Sequence, residues 1–123
     1  MRPGALMKNQ PFARRLRFAL AGLAGALRAE HSFRFQVVTT VGVLVALLWL
    51  RPAPVWWAVI IVTIALVLAA ELVNTALEHL ADHLHPEQHP RIKMVKDCAA
   101  AAVLITSLGA LAVAAALLCE LLR

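Results

Sequence analysis

Charged residues are scarce in this sequence of 123 residues, in which 62% of the side chains are apolar and only 15% are charged. The mean hydropathy of +0.78 lies well outside the balance of a soluble domain of this size. The shortage of charge excludes an ordinary water-soluble domain and predicts an integral membrane protein. The length leaves room for a single domain, so an active site must form within one helical bundle or between copies of it.

Cysteine and glycine are also rare, with two and five residues. Cys98 and Cys119 lie near opposite ends of one apolar run, too far apart along a helix to form a disulfide with each other. We interpret both cysteines as packing residues. The few glycines form no Walker-type motif, which excludes a Gly-rich phosphate-binding loop.

Basic residues outnumber acidic ones and give a formal net charge of +5. They flank the apolar runs and form no basic face with interleaved aromatic residues, so we expect no nucleic-acid partner. Only Arg51 and Arg123 lie on one side of the predicted spans. The others, which share the opposite side, are Arg2, Lys8, Arg14, Arg15, Arg17, Arg28, Arg34, Arg91, Lys93 and Lys96. By the positive-inside tendency, we expect the N-terminus to be cytoplasmic and the C-terminus to lie on the outside of the membrane.

Three apolar stretches, 35–50, 55–80 and 98–122, predict three transmembrane helices. Crossing the membrane takes about 20 helical residues, so we expect the short first span to continue from the helix before it. That preceding segment, 11–34, has apolar residues at spacings of three and four with arginines between them. This pattern predicts an amphipathic helix at the membrane surface, with packing on a soluble partner as the alternative. The polar segment 81–97 is predicted to be a cytoplasmic loop, and the fold class is all-α.

A stripe of polar residues on the second span predicts a functional site. Glu71, Asn74, Glu78 and Asp82 fall within about 80° of arc on a helix of 3.6 residues per turn. An ionisable group as deep in an apolar run as Glu71 is costly, which indicates function, although polar residues that bond neighbouring helices together are the alternative. We interpret Glu71 as a candidate general base and Glu78 as a candidate ligand of Mg²⁺.

Further polar residues lie at the same predicted membrane face. Glu30 is an acidic residue in a basic stretch and is a candidate for the second metal carboxylate. Lys96 and Asp97 immediately precede the third span, where a lysine neutralises charge on a phosphate and an aspartate orients it. Taken alone, Lys96 is equally compatible with an anchor at the membrane surface.

The histidines allow an alternative metal site. His79 with His83, and His85 with His89, have the i,i+4 spacing of ligands for zinc or iron. Prolines at 86 and 90 break any helix through positions 85 to 89, and no cysteine joins the set. We therefore favour magnesium at carboxylates over a transition-metal site.

The sequence resembles the prokaryotic diacylglycerol kinase family over nearly its whole length. The resemblance is carried by Glu71-Leu-Val-Asn74-Thr-Ala-Leu-Glu78, Asp82, Pro86-Glu87-Gln88-His89-Pro90, Lys96-Asp97 before an Ala-rich helix, Phe18-Ala-Leu-Ala-Gly22-Leu23 and Glu30-His-Ser-Phe33-Arg34. It implies a homotrimeric bundle with three spans per chain, in which the sites lie between subunits and use ATP and Mg²⁺.

The resemblance also implies a role for each matching residue. Glu71 is the catalytic base on the lipid hydroxyl and Asn74 supports it, while Glu30 and Glu78 hold the magnesium ion of ATP. Phe33 and Arg34 join Glu71 at the lipid substrate. The residues implied at the nucleotide are Arg14, Phe18, Glu30, Glu78, Glu87, Gln88, His89, Lys96 and Asp97.

The chain departs from the family pattern in having no tyrosine, whereas some members carry one near the position of Phe18. Family members act on diacylglycerol or on undecaprenol. We expect phosphorylation of diacylglycerol, with undecaprenol as the alternative substrate. Two rivals from other classes are a proton-coupled transporter, in which Glu71 carries the proton, and a non-catalytic membrane protein, in which the stripe joins helices.

Overall fold

The computed structural model describes residues 10–123, which form four α-helices. They are α1 (Phe12–Ala29), α2 (His31–Leu50), α3 (Pro54–Leu84) and α4 (Pro90–Leu122). The last three are long and apolar enough to cross a membrane, which confirms the predicted all-α fold with three spans. Arg2 and Lys8, which contributed to the predicted orientation, lie outside the described residues.

The junction of α1 and α2 differs from the sequence prediction. The predicted surface helix 11–34 ends at Ala29, and Glu30 adopts an extended backbone before α2 begins at His31. The guanidinium of Arg34 donates to the carbonyls of Leu27 and Arg28 at 3.0 and 2.8 Å, which satisfies two of the free carbonyls at the end of α1. With its 20 residues, α2 is long enough to cross the membrane without any contribution from α1.

A tight turn that contains Pro52 joins α2 to α3, which begins at Pro54. Arg51 ends α2 in the left-handed conformation, with φ of 51°, and its N–H donates to the Leu47 carbonyl. Pro54 occupies the first turn of α3, where its missing N–H leaves no hydrogen bond unmade. The end of the bundle at residues 51–53 is therefore closed by a short connection.

The loop between α3 and α4 is much shorter than the predicted segment 81–97. Helix α3 continues to Leu84 and α4 starts at Pro90, so only 85–89 is non-helical. The polar composition of the flanking residues reflects helices that project beyond the hydrocarbon layer, because 31 residues of α3 span about 46 Å. His89 caps α4 by accepting the N–H of Arg91 at its Nδ1 atom.

The helices bury little within a single chain. A small cluster of Leu47, Ile60 and Leu117 packs against Trp56 and Trp57 near the turn between α2 and α3. Helix α3 packs more extensively on α4 than on α2. In the most apolar segment of each span, between 6% and 11% of the residues are buried, so most of the apolar surface is left for lipid or for other chains.

Candidate active site

The carboxylate of Glu71 lies between α2 and α3 and is 5% exposed. Ser32 Oγ donates to its Oε1 atom at 2.7 Å, and Gln36 Nε2 donates to its Oε2 atom at 3.2 Å. Glu71 is the one charged residue that is buried among the described residues. A carboxylate withdrawn from water needs such donors, because a buried polar group without partners is costly.

Ser32 and Gln36 are site residues that the sequence analysis missed. Their i,i+4 spacing puts both on one face of α2, opposite Glu71. Gln36 could have been predicted from the sequence. It is a polar side chain inside the predicted first span, and a polar group in an apolar run indicates function, as it does for Glu71. Ser32 has no such signal, because it lies in the predicted surface helix 11–34, where a polar residue is ordinary.

The position of Glu71 along α3 predicts that it lies close to one end of the hydrocarbon layer. It stands 17 residues beyond Pro54, the start of α3, or about 25 Å along the helix axis. Since the hydrocarbon core is about 30 Å thick, the rest of α3, including Glu78, reaches the polar boundary opposite the tryptophan-rich turn. The helix length therefore predicts that the buried carboxylate lies where the polar part of a lipid meets its chains.

Asn74 lies one turn beyond Glu71 and faces the groove between α3 and α4. Its Oδ1 atom is buried and accepts no hydrogen bond from the described residues. The groove is lined mostly by apolar and small side chains, among them Ala70, Cys98 and Ala102. Asn74 thus faces α4, whereas the Glu71 carboxylate contacts α2, and the predicted joint role of the two residues stays a prediction. The Asn74 acceptor is one that a donor from another molecule would satisfy.

Glu30 is held against α3 by His79, which the sequence suggests only as part of an alternative metal pair with His83. His79 Nε2 lies 3.0 Å from Glu30 Oε1, and the Glu30 side chain is 26% exposed. Glu78, the other predicted metal ligand, is the neighbour of His79 in α3 and is half-buried. Glu30 thus reaches the segment of α3 that carries Glu78, although it comes from the junction of α1 and α2.

No group of three or more His, Cys, Asp or Glu side chains suited to one metal ion occurs within residues 10–123. Magnesium bound with nucleotide phosphates needs only one or two protein carboxylates, since phosphates and waters complete its shell. The donor chemistry of Glu30 and Glu78 fits this requirement. Their joint binding of one ion stays a prediction.

A groove of about 630 Å³ surrounds the loop 85–89 and contains five of the residues predicted at the nucleotide. They are Glu87, Gln88, His89, Lys96 and Asp97. Its volume is in the range of small-molecule sites. Lys96 forms an ion pair with Asp82, and Asp97 pairs with Lys93 at 2.6 Å, so the adjacent residues Lys96 and Asp97 have different partners.

The remaining predicted residues lie away from this loop groove. Arg14 donates to Gln10 Oε1 at 2.7 Å, and Phe18 lines a shallow groove on α1. Phe33 is 2% exposed and Arg34 binds the carbonyls at the end of α1, so both residues stabilise the junction of α1 and α2. The predicted contacts of Phe33 and Arg34 with lipid stay untested.

An apolar groove of about 700 Å³ separates α1 from α3 and ends at Glu30 and His79. Its α1 wall consists largely of small residues, including Gly22, Gly25 and Ala29. A Cβ atom added at either glycine would meet nothing within 4 Å, so none of residues 10–123 fills this space. An apolar groove that ends at a polar pair has the chemistry of a site for an amphiphile.

Comparison with known proteins places these features in a family. The family model described as Prokaryotic diacylglycerol kinase matches residues 17–118. A diacylglycerol kinase of Synechocystis sp. is 38% identical over 103 residues, which cover 83% of this chain and 59% of that protein. The chain thus spans less than two thirds of the length of this relative.

Two further relatives match over similar proportions of both chains. An undecaprenol kinase of Bacillus subtilis is 32% identical over 84 residues, 68% of each chain. A diacylglycerol kinase of Escherichia coli strain K12 is 31% identical over 88 residues, 72% of each chain. These matches confirm the resemblance drawn from the motifs around Glu71, Glu78 and Lys96.

Proposed function

The chain belongs to the prokaryotic diacylglycerol kinase family, and we propose that it transfers the terminal phosphate of ATP to the hydroxyl of diacylglycerol, producing phosphatidate. The observation that carries this proposal is the buried carboxylate of Glu71 between α2 and α3, about 25 Å along α3 from Pro54. In a hydrocarbon layer about 30 Å thick that begins at Pro54, this carboxylate would lie near the opposite boundary. A lipid alcohol presents its hydroxyl at this depth. A soluble substrate does not.

Glu71 is the base in the proposed reaction. The lipid hydroxyl gives its proton to the Glu71 carboxylate while its oxygen forms a bond to the terminal phosphorus of ATP. The bond from that phosphorus to the bridging oxygen breaks, and ADP leaves. Phosphoryl transfer of this kind depends mainly on positioning and on stabilising charge, so a small helical bundle supplies what the reaction needs. Asn74 lies one turn from the base, and its Oδ1 atom, which has no partner among the described residues, would support the site by accepting a hydrogen bond from the bound substrates or from another copy.

Glu30 and Glu78 would hold Mg²⁺, whose chemistry at this site is to neutralise the charge of the ATP phosphates. Their carboxylates provide the oxygen ligands that the ion prefers. The five loop-groove residues would bind the nucleotide, with Lys96 as the cation nearest to the phosphates. In a single chain Lys96 is neutralised by Asp82, so binding of ATP would exchange one anionic partner for another.

The active protein in this proposal is a homotrimer with sites shared between copies. The extensive apolar surface left exposed by one chain is consistent with such contacts. Arg14 and Phe18 do not line the loop groove, and a neighbouring copy would bring α1 to the nucleotide. The apolar groove between α1 and α3 offers the lipid chains a place beside Glu30.

Undecaprenol is the second candidate substrate. It is favoured by the similarity to the undecaprenol kinase of Bacillus subtilis, and its reaction at Glu71 would be the same transfer to a primary lipid alcohol. The stretch Pro86-Glu87-Gln88-His89-Pro90 also agrees with the loop of that group of enzymes. The comparison with Synechocystis, which has the higher identity, favours diacylglycerol.

The proposed location is a bacterial inner membrane, with the loop 85–89 and the N-terminus on the cytoplasmic side. The distribution of basic residues supports this orientation, and cytoplasmic ATP would then reach the loop groove directly. A C-terminal reporter that is active only outside the cytoplasm tests it. A signal from the outside is expected, and an exclusively cytoplasmic signal would reverse the topology.

The substrate is tested with purified protein in lipid bicelles that contain Mg-ATP and either diacylglycerol or undecaprenol at equal concentration. Phosphatidate is the expected main product. A higher kcat/KM for undecaprenol than for diacylglycerol would make undecaprenol the preferred substrate. Phosphorylation of neither lipid, by protein that is folded and trimeric, would overturn the lipid kinase proposal.

A further inference from the structure

The hydrogen bonds that the described residues donate to the Glu71 carboxylate come from two side chains of α2. We infer that Ser32 and Gln36 are positioning residues, which hold this carboxylate in the orientation in which it receives the proton of the lipid hydroxyl. The inference rests on the proposed function and adds two residues to which the family resemblance gave no role.

The two donors fix the carboxylate at both oxygens. Ser32 Oγ binds Oε1 at 2.7 Å and Gln36 Nε2 binds Oε2 at 3.2 Å. The terminal torsion of a glutamate is broad, so one hydrogen bond would leave the group free to turn, whereas one on each oxygen holds its plane. A carboxylate has about four acceptor positions, so each oxygen of Glu71 keeps room for the proton of a substrate hydroxyl.

The orientation of Gln36 supports a specific role at Glu71. Its Oε1 atom is buried without a hydrogen-bond partner, which is unfavourable for a polar atom. The reverse orientation of the amide would place Oε1 against the Glu71 carboxylate, with two acceptors in contact. The amide is therefore set by the need to donate to Glu71, at the expense of its own acceptor.

Both donors come from α2, so the orientation of Glu71 in α3 depends on how α2 is placed. Ser32 is the second residue of α2, directly after the bend that carries Glu30. The same short segment thus places the proposed metal ligand and orients the proposed base. A change in the junction of α1 and α2 would alter both parts of the site together.

A purely structural link between α2 and α3 and a positioning role predict different kinetics. If Ser32 and Gln36 only join helices, their loss reduces the amount of folded protein and leaves kcat per folded molecule unchanged. If they position Glu71, kcat falls in protein that remains folded, while KM for ATP and for diacylglycerol is preserved. A displacement of about 1 Å at a reacting group lowers a rate by up to about 100-fold.

The experiment measures kcat and both KM values per folded trimer for Ser32→Ala, Gln36→Met and the double variant in bicelles. Each single change is expected to lower kcat about tenfold, and the double change about 100-fold, with both KM values within about twofold of wild type. Ser32→Thr, which keeps the hydroxyl, restores most of the rate. Thr39→Val is the matched control, because the Thr39 hydroxyl in α2 bonds only to its own helix, at the Phe35 carbonyl, and kcat is unchanged.

A readout without activity is the midpoint of thermal unfolding in a double-mutant cycle of Ser32→Ala and Glu71→Leu. Ser32→Ala is expected to lower the midpoint by a few degrees beside Glu71 and by less than one degree beside Leu at that position. Equal losses in both backgrounds would overturn the contact itself.

The two proposals fail in different ways. An active wild type whose Ser32→Ala, Gln36→Met and double variants all retain wild-type kcat would overturn the positioning role alone. A folded, trimeric wild type that phosphorylates no lipid would overturn the proposed function and, with it, the catalytic role of Ser32 and Gln36. In that case the double-mutant cycle of unfolding midpoints still decides whether Ser32 contacts Glu71.

Discussion

His79 Nε2 and Glu30 Oε1 lie 3.0 Å apart, and this contact connects the junction of α1 and α2 to the C-terminal part of α3. It links residues 49 positions apart in the sequence. Glu30 is one of the two carboxylates proposed to hold magnesium. The contact therefore positions the proposed metal ligand Glu30 through His79, a residue that lies outside the family motif.

The contact of His79 with Glu30 is expected to contribute little to stability. The His79 side chain is 67% exposed, and polar contacts of exposed side chains contribute about 1 kcal/mol or less even when both groups are charged. His79→Asn should change the free energy of unfolding by less than about 1 kcal/mol, measured by chemical unfolding in detergent micelles. A loss several times larger would mean that the contact is buried in the assembled protein.

Loss of a metal carboxylate is expected to change the magnesium requirement. Glu78→Gln keeps the shape of the side chain and removes its charge, so the Mg²⁺ concentration for half-maximal rate should rise about tenfold or more. The control is Glu120→Gln at the far end of α4, where Glu120 pairs with Arg123. Magnesium dependence equal to wild type in Glu78→Gln would remove Glu78 from the metal site.

The turn at Arg51 provides a test of the fold that is separate from the active site. Arg51 has φ of 51°, and a side chain in the left-handed region costs about 1 kcal/mol that glycine does not. Arg51→Gly should maintain or raise the free energy of unfolding, whereas the β-branched Arg51→Val should lower it by about 1 kcal/mol or more. An equal effect of both changes would contradict the observed backbone.

Most of the fold follows from the sequence because membrane spans have strong compositional signals. The lengths of the apolar runs predict α3 and α4, and the prolines at 52, 54, 86 and 90 predict where the chain turns. The start of α2 was not predictable in the same way. It depends on Arg34, whose guanidinium reaches back to the end of α1, and such a tertiary contact has no periodicity in the sequence.

The candidate site was predictable to the extent that its residues stand out in apolar surroundings. Glu71 and Asn74 break a hydrophobic run, and the structure buries the Glu71 carboxylate and the Asn74 Oδ1 atom. Ser32, Gln36 and His79 were missed because their importance comes from the partner across the helix interface. Spacing along one helix does not reveal which residue of another helix it will meet.

Glu71 carries the central claim, and Glu71→Gln tests it most directly. The amide keeps the size of the side chain but does not accept a proton as the carboxylate does, so kcat for phosphorylation of diacylglycerol should fall about 100-fold to 10,000-fold. The measurement is transfer of labelled phosphate from ATP to lipid, with binding of Mg-ATP determined on the same preparation. The predicted result is that Glu71→Gln binds Mg-ATP normally but transfers almost no phosphate. Wild-type turnover in folded Glu71→Gln protein would contradict the account.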